Sequence, residues 1–397
     1  MSPAALADKF LLQFNYPAKV LAQAPGRINL IGEHTDYNEG FVLPASINKL
    51  AIVALRQNKL NRFRLIANDL DEQIEVDSDG LQPNEKQWAN YLLGVVDQLQ
   101  KRGFDIQGFD CSMTCDVPQG AGLSSSAAIT CALVTGLDEL YNLQLKKWDM
   151  VRIGQAAENE FVGANTGMLD QFASIFGEAD TALLLDFRSL EVKKFPINLP
   201  GHQLVVLNTG VKHNHMLSGY ADRRADCERA VSILQKNGWE GKSLRDLTEG
   251  DLEGFGESLD EKARKRATFI FQENQRVLAA AQQLEDSDVA GFGESPMQAR
   301  GPSAFGRGLT AGHWGLSKDF EVSCPESDAV VRFAERHMAC KGARQMGGGF
   351  GGCVLCVVET AAIFDFIDEA QQSYFNEFAI TLEPLNIRIG AGASIII

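Results

Sequence analysis

The spacing of apolar and polar positions divides the chain into a strand-rich opening, a largely helical middle and a return to strands. From Val20 to Leu30 the pattern VLAQAPGRINL reads as a strand running into a turn at Pro25 and Gly26, followed by the polar loop GEHTDYNEG. Apolar residues alternate from Leu43 to Arg56 and on to Val76, as a meandering sheet requires. Trp88 to Leu99 has helical spacing. Phe109, Cys111, Met113 and Cys115 alternate with polar neighbours and mark a strand stopped by Val117 and Pro118. The small-residue loop QGAGLSSS then feeds an apolar helix to about Leu143. A second helix runs from roughly Lys147 to Phe161, with Met150, Ile153, Ala157 and Phe161 as its buried stripe.

Beyond the strand-like TALLLDF and HQLVVLN, long charged helices are predicted over Tyr220 to Lys236 and Glu261 to Leu284. Asp286 to Gly308 is rich in Gly, Pro and Ser and reads as loop. Strands return with GARQMGGGFGGCVLCVVE and end at IRIGAGASIII. A chain of 397 residues suits two domains, and the boundary is placed near residue 200, giving 1–199 and 200–397.

Composition narrows the function classes. Hydrophobic residues at 45% and charged residues at 22% are those of an ordinary globular protein. The 37 basic against 52 acidic residues leave a net charge of -15, which disfavours phosphate backbones and anionic membranes, so nucleic acid is excluded as a partner. A local cluster of backbone N–H groups can still hold a phosphate. The start MSPAALADKF has no basic, apolar or cleavage pattern of a leader, and no apolar stretch reaches membrane-span length; a cytoplasmic protein is expected. The eight cysteines are scattered within apolar runs, as reduced core thiols are. Cys353 and Cys356 lie on one predicted strand and so point to opposite faces, which disfavours a redox or zinc pair.

Four places carry candidate chemistry. In PQGAGLSSSAA, Gly120, Ala121 and Gly122 let the backbone approach an anion at a helix start, while Ser124, Ser125 and Ser126 can cap the helix or reach a magnesium ion. A dinucleotide loop fits poorly, because proline interrupts the junction and Ser125 replaces the third glycine. Gly241, Lys242 and Ser243 resemble a nucleotide loop only superficially, since Lys236 stands where its first glycine belongs. The second place is the cluster Gly347, Gly348, Gly349, Gly351 and Gly352 around Phe350; that many glycines point to close approach of the main chain to a ligand or to the first loop. The third packs Arg27, Asn29, Glu33, His34, Asp36, Tyr37 and Asn38 into twelve residues, an acid and amide set suited to reading sugar hydroxyls. The fourth is Asp170 among apolar neighbours, either a helix N-cap or, beside a cation such as Arg27, a base for a hydroxyl proton.

These residues resemble a known family. APGRINLIGEHTDYNEG (24–40) resembles the galactokinase signature, VPQGAGLSSSAA the ATP loop of the GHMP small-molecule kinases, and GARQMGGGFGGC their third motif, in the family's order and spacing. QWANY, GMLDQF, YADRRADC and DFEVSCPESD extend the likeness over nearly the whole chain. The resemblance implies a two-domain α+β fold of the GHMP kinase type, with the active site in the cleft between domains, and phosphorylation of galactose at its C1 hydroxyl by ATP. It implies Asp170 as catalytic base, Arg27 as the cation beside it, and Glu33, His34, Asp36, Gly167 and Tyr220 as sugar contacts. It further implies Ser125 and Glu158 as ligands of Mg²⁺. Gly120, Ala121, Gly122, Leu123, Ser124, Ser125 and Ser126, with Gly348 and Gly349, would hold ATP, and Trp88 would lie near the adenine. Small-molecule substrates and a monomer are expected. The alternatives are a GHMP kinase for another monosaccharide and a non-catalytic sensor of ATP and sugar.

Some positions depart from the family. Gln345 and Met346 stand where M-T is usual, Ala311, Gly312 and Gly315 fall in the usual E-S-H-x-S-L, and Thr268 and Phe269 replace the end of R-A-R-H. All lie outside the sugar loop and the serine run, so activity is expected to survive them.

Overall fold

A computed structural model describes residues 1–164, 166–212, 216–293 and 308–396. Its strands are β1 (Val20–Asn29), β2 (Phe41–Val42), β3 (Pro44–Gln57), β4 (Arg62–Ala67), β5 (Glu72–Asp77), β6 (Phe109–Cys115), β7 (Thr181–Asp186), β8 (Val192–Pro196), β9 (His202–Lys212), β10 (Cys340–Gln345), β11 (Gly351–Glu359), β12 (Glu383–Leu385) and β13 (Ser394–Ile395). They form a six-stranded sheet in the order β13-β1-β3-β6-β4-β5, a four-stranded sheet β10-β11-β9-β12 and a three-stranded sheet β2-β7-β8.

The alternation read from the sequence sets the faces of the first sheet. Ala22, Val53 and Leu55 face the main core, where helices α2 (Gln87–Lys101) and α3 (Ser125–Tyr141) pack. Leu21, Ile52 and Ala54 point the other way and receive Leu6, Phe10 and Phe14 of the N-terminal helix α1 (Pro3–Phe14). In the four-stranded sheet, Cys353, Leu355 and Val357 of β11 join the main core, and Val354, Cys356 and Val358 join a second one. The two cysteines therefore lie on opposite faces, as their spacing predicts, and all eight cysteines are free thiols.

Helix α4 (Lys147–Ala156) runs into a π-helical turn, Ala157–Val162, a distortion common at functional sites, and α5 (Leu169–Phe176) follows. The later part of the chain supplies α6 (Met216–Lys236), α7 (Glu249–Phe255), α8 (Glu261–Glu285), α9 (Val289–Gly293), α10 (Leu309–Lys318), α11 (Pro325–Arg336) and α12 (Ile363–Phe378). The stretch read as loop over 286–308 opens instead with short α9, and its residues 294–307 lie outside the described set. The final segment contributes only the short β13, and Ile389 bridges Ile47, so the chain end closes on the first sheet.

One local expectation is corrected. Pro25 and Gly26 make no turn: β1 continues through them with a bulge in its pairing to β3. Gly26 lies so close to the Leu123 carbonyl that a Cβ would come within 2.5 Å of it, and Ser174 Oγ donates to the Pro25 carbonyl at 2.7 Å. The bulge re-aims the strand at the point where Arg27 leaves it.

Candidate active site

A cavity of about 320 Å³ opens where β1, the loop after it, the serine-rich loop, the start of α5, the start of α6 and the second glycine cluster meet. Arg27, Glu33, His34, Asp36, Gly167, Asp170 and Tyr220 all line it. So do Gly120, Gly122, Leu123, Ser124, Ser125, Ser126 and Gly348. Trp88, Ala121, Gly349 and Glu158 do not. Trp88 is buried, and its indole N–H donates to Glu72 Oε2 at 2.6 Å.

Asp170 and Arg27, 143 residues apart in sequence, form the centre of the site. Arg27 Nε donates to Asp170 Oδ1 at 2.8 Å, its Nη2 lies 2.7 Å from the same oxygen, and its Nη1 donates to the Gly122 carbonyl at 2.5 Å. Ser124 Oγ donates to the other carboxylate oxygen, also at 2.5 Å. Asp170 is not an N-cap. Met168 holds that position in α5, and Asp170 sits in the first turn, where the helix dipole favours its charge. Its side chain keeps 28% exposure against 8% for Arg27, so the cation is shielded and the carboxylate is presented to the cavity.

Ser124 stands at the N-cap of α3, yet its backbone is left-handed (φ 61°) and its side chain caps nothing in the helix, being committed to Asp170. Gly120 and Gly122 have φ of 71° and 75°, which leaves the loop's main chain free to curve toward an anion. The second glycine cluster lies against this first loop: a Cβ on Gly352 would meet the Ala121 carbonyl at 3.4 Å, and one on Gly347 the Gly122 carbonyl at 3.7 Å. Gly349 has a structural duty, because its Cβ would stand 2.2 Å from the Val322 carbonyl.

On the opposite wall, Gly167 leaves the space that Asp36 fills; a Cβ there would lie 2.0 Å from Asp36 Oδ2. Burial, with the nearby charge of Asp170, raises the Asp36 carboxyl to about 6. Burial raises Glu33 to about 7 against the pull of Arg344, with which its Oε2 pairs, while its Oε1 has no protein partner. His34 accepts or donates through Nδ1 to the Tyr37 hydroxyl at 2.8 Å, and its Nε2 is unpartnered. Burial, aided by Arg223, lowers His34 to about 3, so the ring is neutral at physiological pH. Tyr220 packs on the His34 and Tyr37 rings at 5.5 and 5.4 Å.

Glu158, on the π-helical turn, accepts from Gln171 Nε2 at 2.8 Å and from Ser126 Oγ at 3.3 Å. Burial, then the charge of Asp170, pushes it up to about 8. The serine hydroxyl that touches it is that of Ser126, while Ser125 lines the cavity.

Sequence reasoning passed over Glu273, Arg276 and Arg344, which are buried side by side behind Glu33. The sequence does hold a trace of them: Glu273 and Arg276 are three residues apart on the same stripe of α8 as Ile270 and Val277, where a charged pair stands out. Thr166 and Ala164 also line the cavity unforeseen. Of the departures, Met346 fills the core, the Gln345 N–H donates to His313 Nδ1 at 3.3 Å, and Phe269 packs on Phe320 at 4.6 Å. Gly312 leaves room for Arg344, whose Nη1 would be 2.4 Å from a Cβ there. None of these residues lines the cavity.

The galactokinase galactose-binding signature matches residues 8–57, the GHMP kinases N terminal domain residues 90–178 and the GHMP kinases C terminal domain residues 295–376. A galactokinase of Actinobacillus pleuropneumoniae serotype 3 is 40% identical over 365 residues, covering 90% of each chain. The crystal structure of Lactococcus lactis galactokinase complexed with galactose superposes with a TM-score of 0.90 at 31% identity, covering 98% of this chain and 99% of that one. Methanococcus jannaschii mevalonate kinase, at 15% identity and a TM-score of 0.56 over 93% and 98% of the chains, shares the fold.

The Glu158 environment predicts a pH signature. Its carboxyl is protonated in the folded chain up to about 8 and ionised in the unfolded chain above its ordinary value, so folding takes up a proton between those limits and stability falls as pH rises through them. Glu158→Gln abolishes that loss. In urea unfolding at pH 5, 6.5 and 8, the variant gains on the wild type at each step, and a constant difference would refute the assignment.

Proposed function

The chain belongs to the galactokinase family of GHMP kinases, and on that footing we propose that it transfers the γ-phosphoryl of ATP to the C1 hydroxyl of galactose, giving galactose 1-phosphate and ADP. The observation that carries this reading is Asp170, held between Arg27 and Ser124 at the point where the serine-rich loop faces the acid and amide loop. A carboxylate so fixed accepts a hydrogen bond from an acceptor hydroxyl and orients one oxygen lone pair toward the nucleotide side. As the O–P bond forms, the hydroxyl proton passes to Asp170, and the bond from the γ-phosphorus to the bridging oxygen of ADP breaks. Arg27 fixes the Asp170 carboxylate in place and faces the charge that spreads over the transferring group.

The N–H groups of the loop from Gly120 to Ser126, with Gly348 of the second cluster, suit the phosphates, and the N-terminus of α3 adds its positive end. On the sugar side, Asp36 and the free Oε1 of Glu33 offer acceptors, and neutral His34 offers Nε2. Gly167 and Tyr220 shape the wall. Trp88, expected near the adenine, and Gly349 lie outside the lining of the cavity, and we give them no direct contact with the phosphates.

Magnesium is the metal this reading calls for. Glu158 and the hydroxyls of Ser125 and Ser126 are hard oxygen donors at the phosphate loop, as Mg²⁺ prefers, and among the described residues no three His, Cys, Asp or Glu side chains form a cage of their own. Such a set suits an ion held mostly by phosphate oxygens and water, which neutralises charge on the transferring group. We place the boundary of the two domains near residue 200 and the enzyme in the cytoplasm as a monomer. Eight free thiols support a reducing compartment.

Two measurements test the assignment. With ATP, Mg²⁺ and galactose, Asp170→Asn is expected to lower kcat by about 10²–10⁴-fold while galactose binding changes little, because the amide keeps the shape and loses the base. Near-normal turnover would remove Asp170 from that role. Asp36→Ala, or Gly167→Ala, which drives a methyl into Asp36, should weaken galactose binding about tenfold or more by calorimetry and leave ATP affinity within about twofold. Equal losses for both ligands would contradict the placement of this wall.

A further inference from the structure

The loop from Gly32 to Phe41 carries Glu33, His34 and Asp36 into the cavity, and both of its ends are tied to consecutive residues of one helix. The Gly32 N–H donates to Glu273 Oε1 at 3.0 Å, and the Phe41 N–H donates to Asn274 Oδ1 at 2.9 Å. Neither Glu273 nor Asn274 lines the cavity. Both are held in orientation by further bonds. Asn274 Nδ2 donates to the Ile270 carbonyl at 3.0 Å, which turns Oδ1 toward Phe41, and Arg276 Nε donates to Glu273 Oε2 at 2.7 Å.

The loop is fitted closely to this helix. A Cβ on Gly40 would stand 2.5 Å from Asn274 Oδ1, and one on Gly32 3.0 Å from Val277 Cγ2. Arg344 completes the connection, since its Nη2 bonds Glu273 Oε1 at 2.9 Å and pairs with Glu33 Oε2 as well. All of Glu33, Glu273, Asn274 and Arg344 are buried, so water does not compete for these bonds.

We infer that Glu273 and Asn274 act as a two-point staple that positions the loop reading the acceptor sugar, so that helix α8 sets acceptor affinity without touching the acceptor. This rests on the reading of residues 32–41 as the sugar loop. A loop released at either end samples more conformations, and binding must then order it again, a cost that falls on the sugar and not on the nucleotide.

The test compares Asn274→Ala and Asn274→Asp with the wild type. Asn274→Ala removes the acceptor for Phe41 and is expected to raise the KM for galactose about tenfold with the KM for ATP within about twofold. Amide hydrogen exchange of peptides spanning 32–41 should speed up in that variant. Asn274→Asp keeps an oxygen for Phe41 but loses the donor to the Ile270 carbonyl, so it should fall between the alanine variant and the wild type in both properties. Glu273→Gln, which keeps an acceptor for Gly32 and loses the charge, serves if the alanine variant fails to fold, with an expected rise of about threefold in galactose KM only. Unchanged exchange, parallel rises in both KM values, or an aspartate variant as impaired as the alanine one would each overturn the staple. A wild-type chain inactive on galactose would defeat the substrate reading, and the exchange comparison would still decide whether the loop is held by α8.

Discussion

The buried guanidinium of Arg27 is the constraint around which the site is built. A cation this shielded is costly unless an anion meets it at good geometry, and removing the partner of such a pair commonly costs about 3–5 kcal/mol where both groups are buried. Asp170 is partly open, so the figure for this pair is smaller, but the topology still answers to it. The bulge in β1 aims Arg27, the start of α5 brings Asp170, and the serine-rich loop supplies both the Gly122 carbonyl and the Ser124 hydroxyl. Three distant stretches of chain must therefore be in register before the pair can form, and a carboxylate placed that way has little freedom left to lose when a hydroxyl arrives.

Around this pair the cavity is crowded with acid. Asp36, Asp170 and Glu33 line it and Glu158 lies just behind, and burial raises three of the four toward neutrality. Such a site would repel a nucleotide phosphate if every carboxyl were ionised. The raised values ease that conflict, because burial favours the neutral forms of Glu33, Asp36 and Glu158. On the proposed reading, the phosphates meet backbone N–H groups and a helix end, with Arg27 as the cation beside the transferring group, which is compatible with a chain of net charge -15.

Most of this was legible in the sequence where chemistry is local. The serine run, the glycine cluster and the acid and amide loop each announced themselves by residue type, and β11 showed by its alternation that Cys353 and Cys356 part to opposite faces. What escaped was set by tertiary contact. Pro25 and Gly26 are ordinary turn residues, yet a carbonyl from residue 123 and a hydroxyl from residue 174 hold them in a bulged strand. Asp170 has the spacing of an N-cap until Arg27 and Ser124 claim it. Glu273 and Arg276 stand on an apolar stripe of a charged helix, which hints at burial, but only the fold reveals that Arg344 is the partner they are buried against.

That buried group also explains the behaviour of Glu33. Arg344 faces two carboxylates and cannot serve both equally: Glu273, which also has Arg276 and the Gly32 N–H, is drawn down to about 2 despite its burial. For Glu33 burial outweighs its share of Arg344, the charge of Glu273 adds to it, and backbone N–H groups offset only part, so the carboxyl stands at about 7. Its carboxyl is thereby shifted toward the neutral, hydrogen-donating form, and its Oε1 has no protein partner. A sugar hydroxyl is itself both donor and acceptor, so it can meet either form and fix it. Gly312 belongs to the same arrangement, because any side chain at that position would press on the Arg344 guanidinium that divides its charge between the two acids.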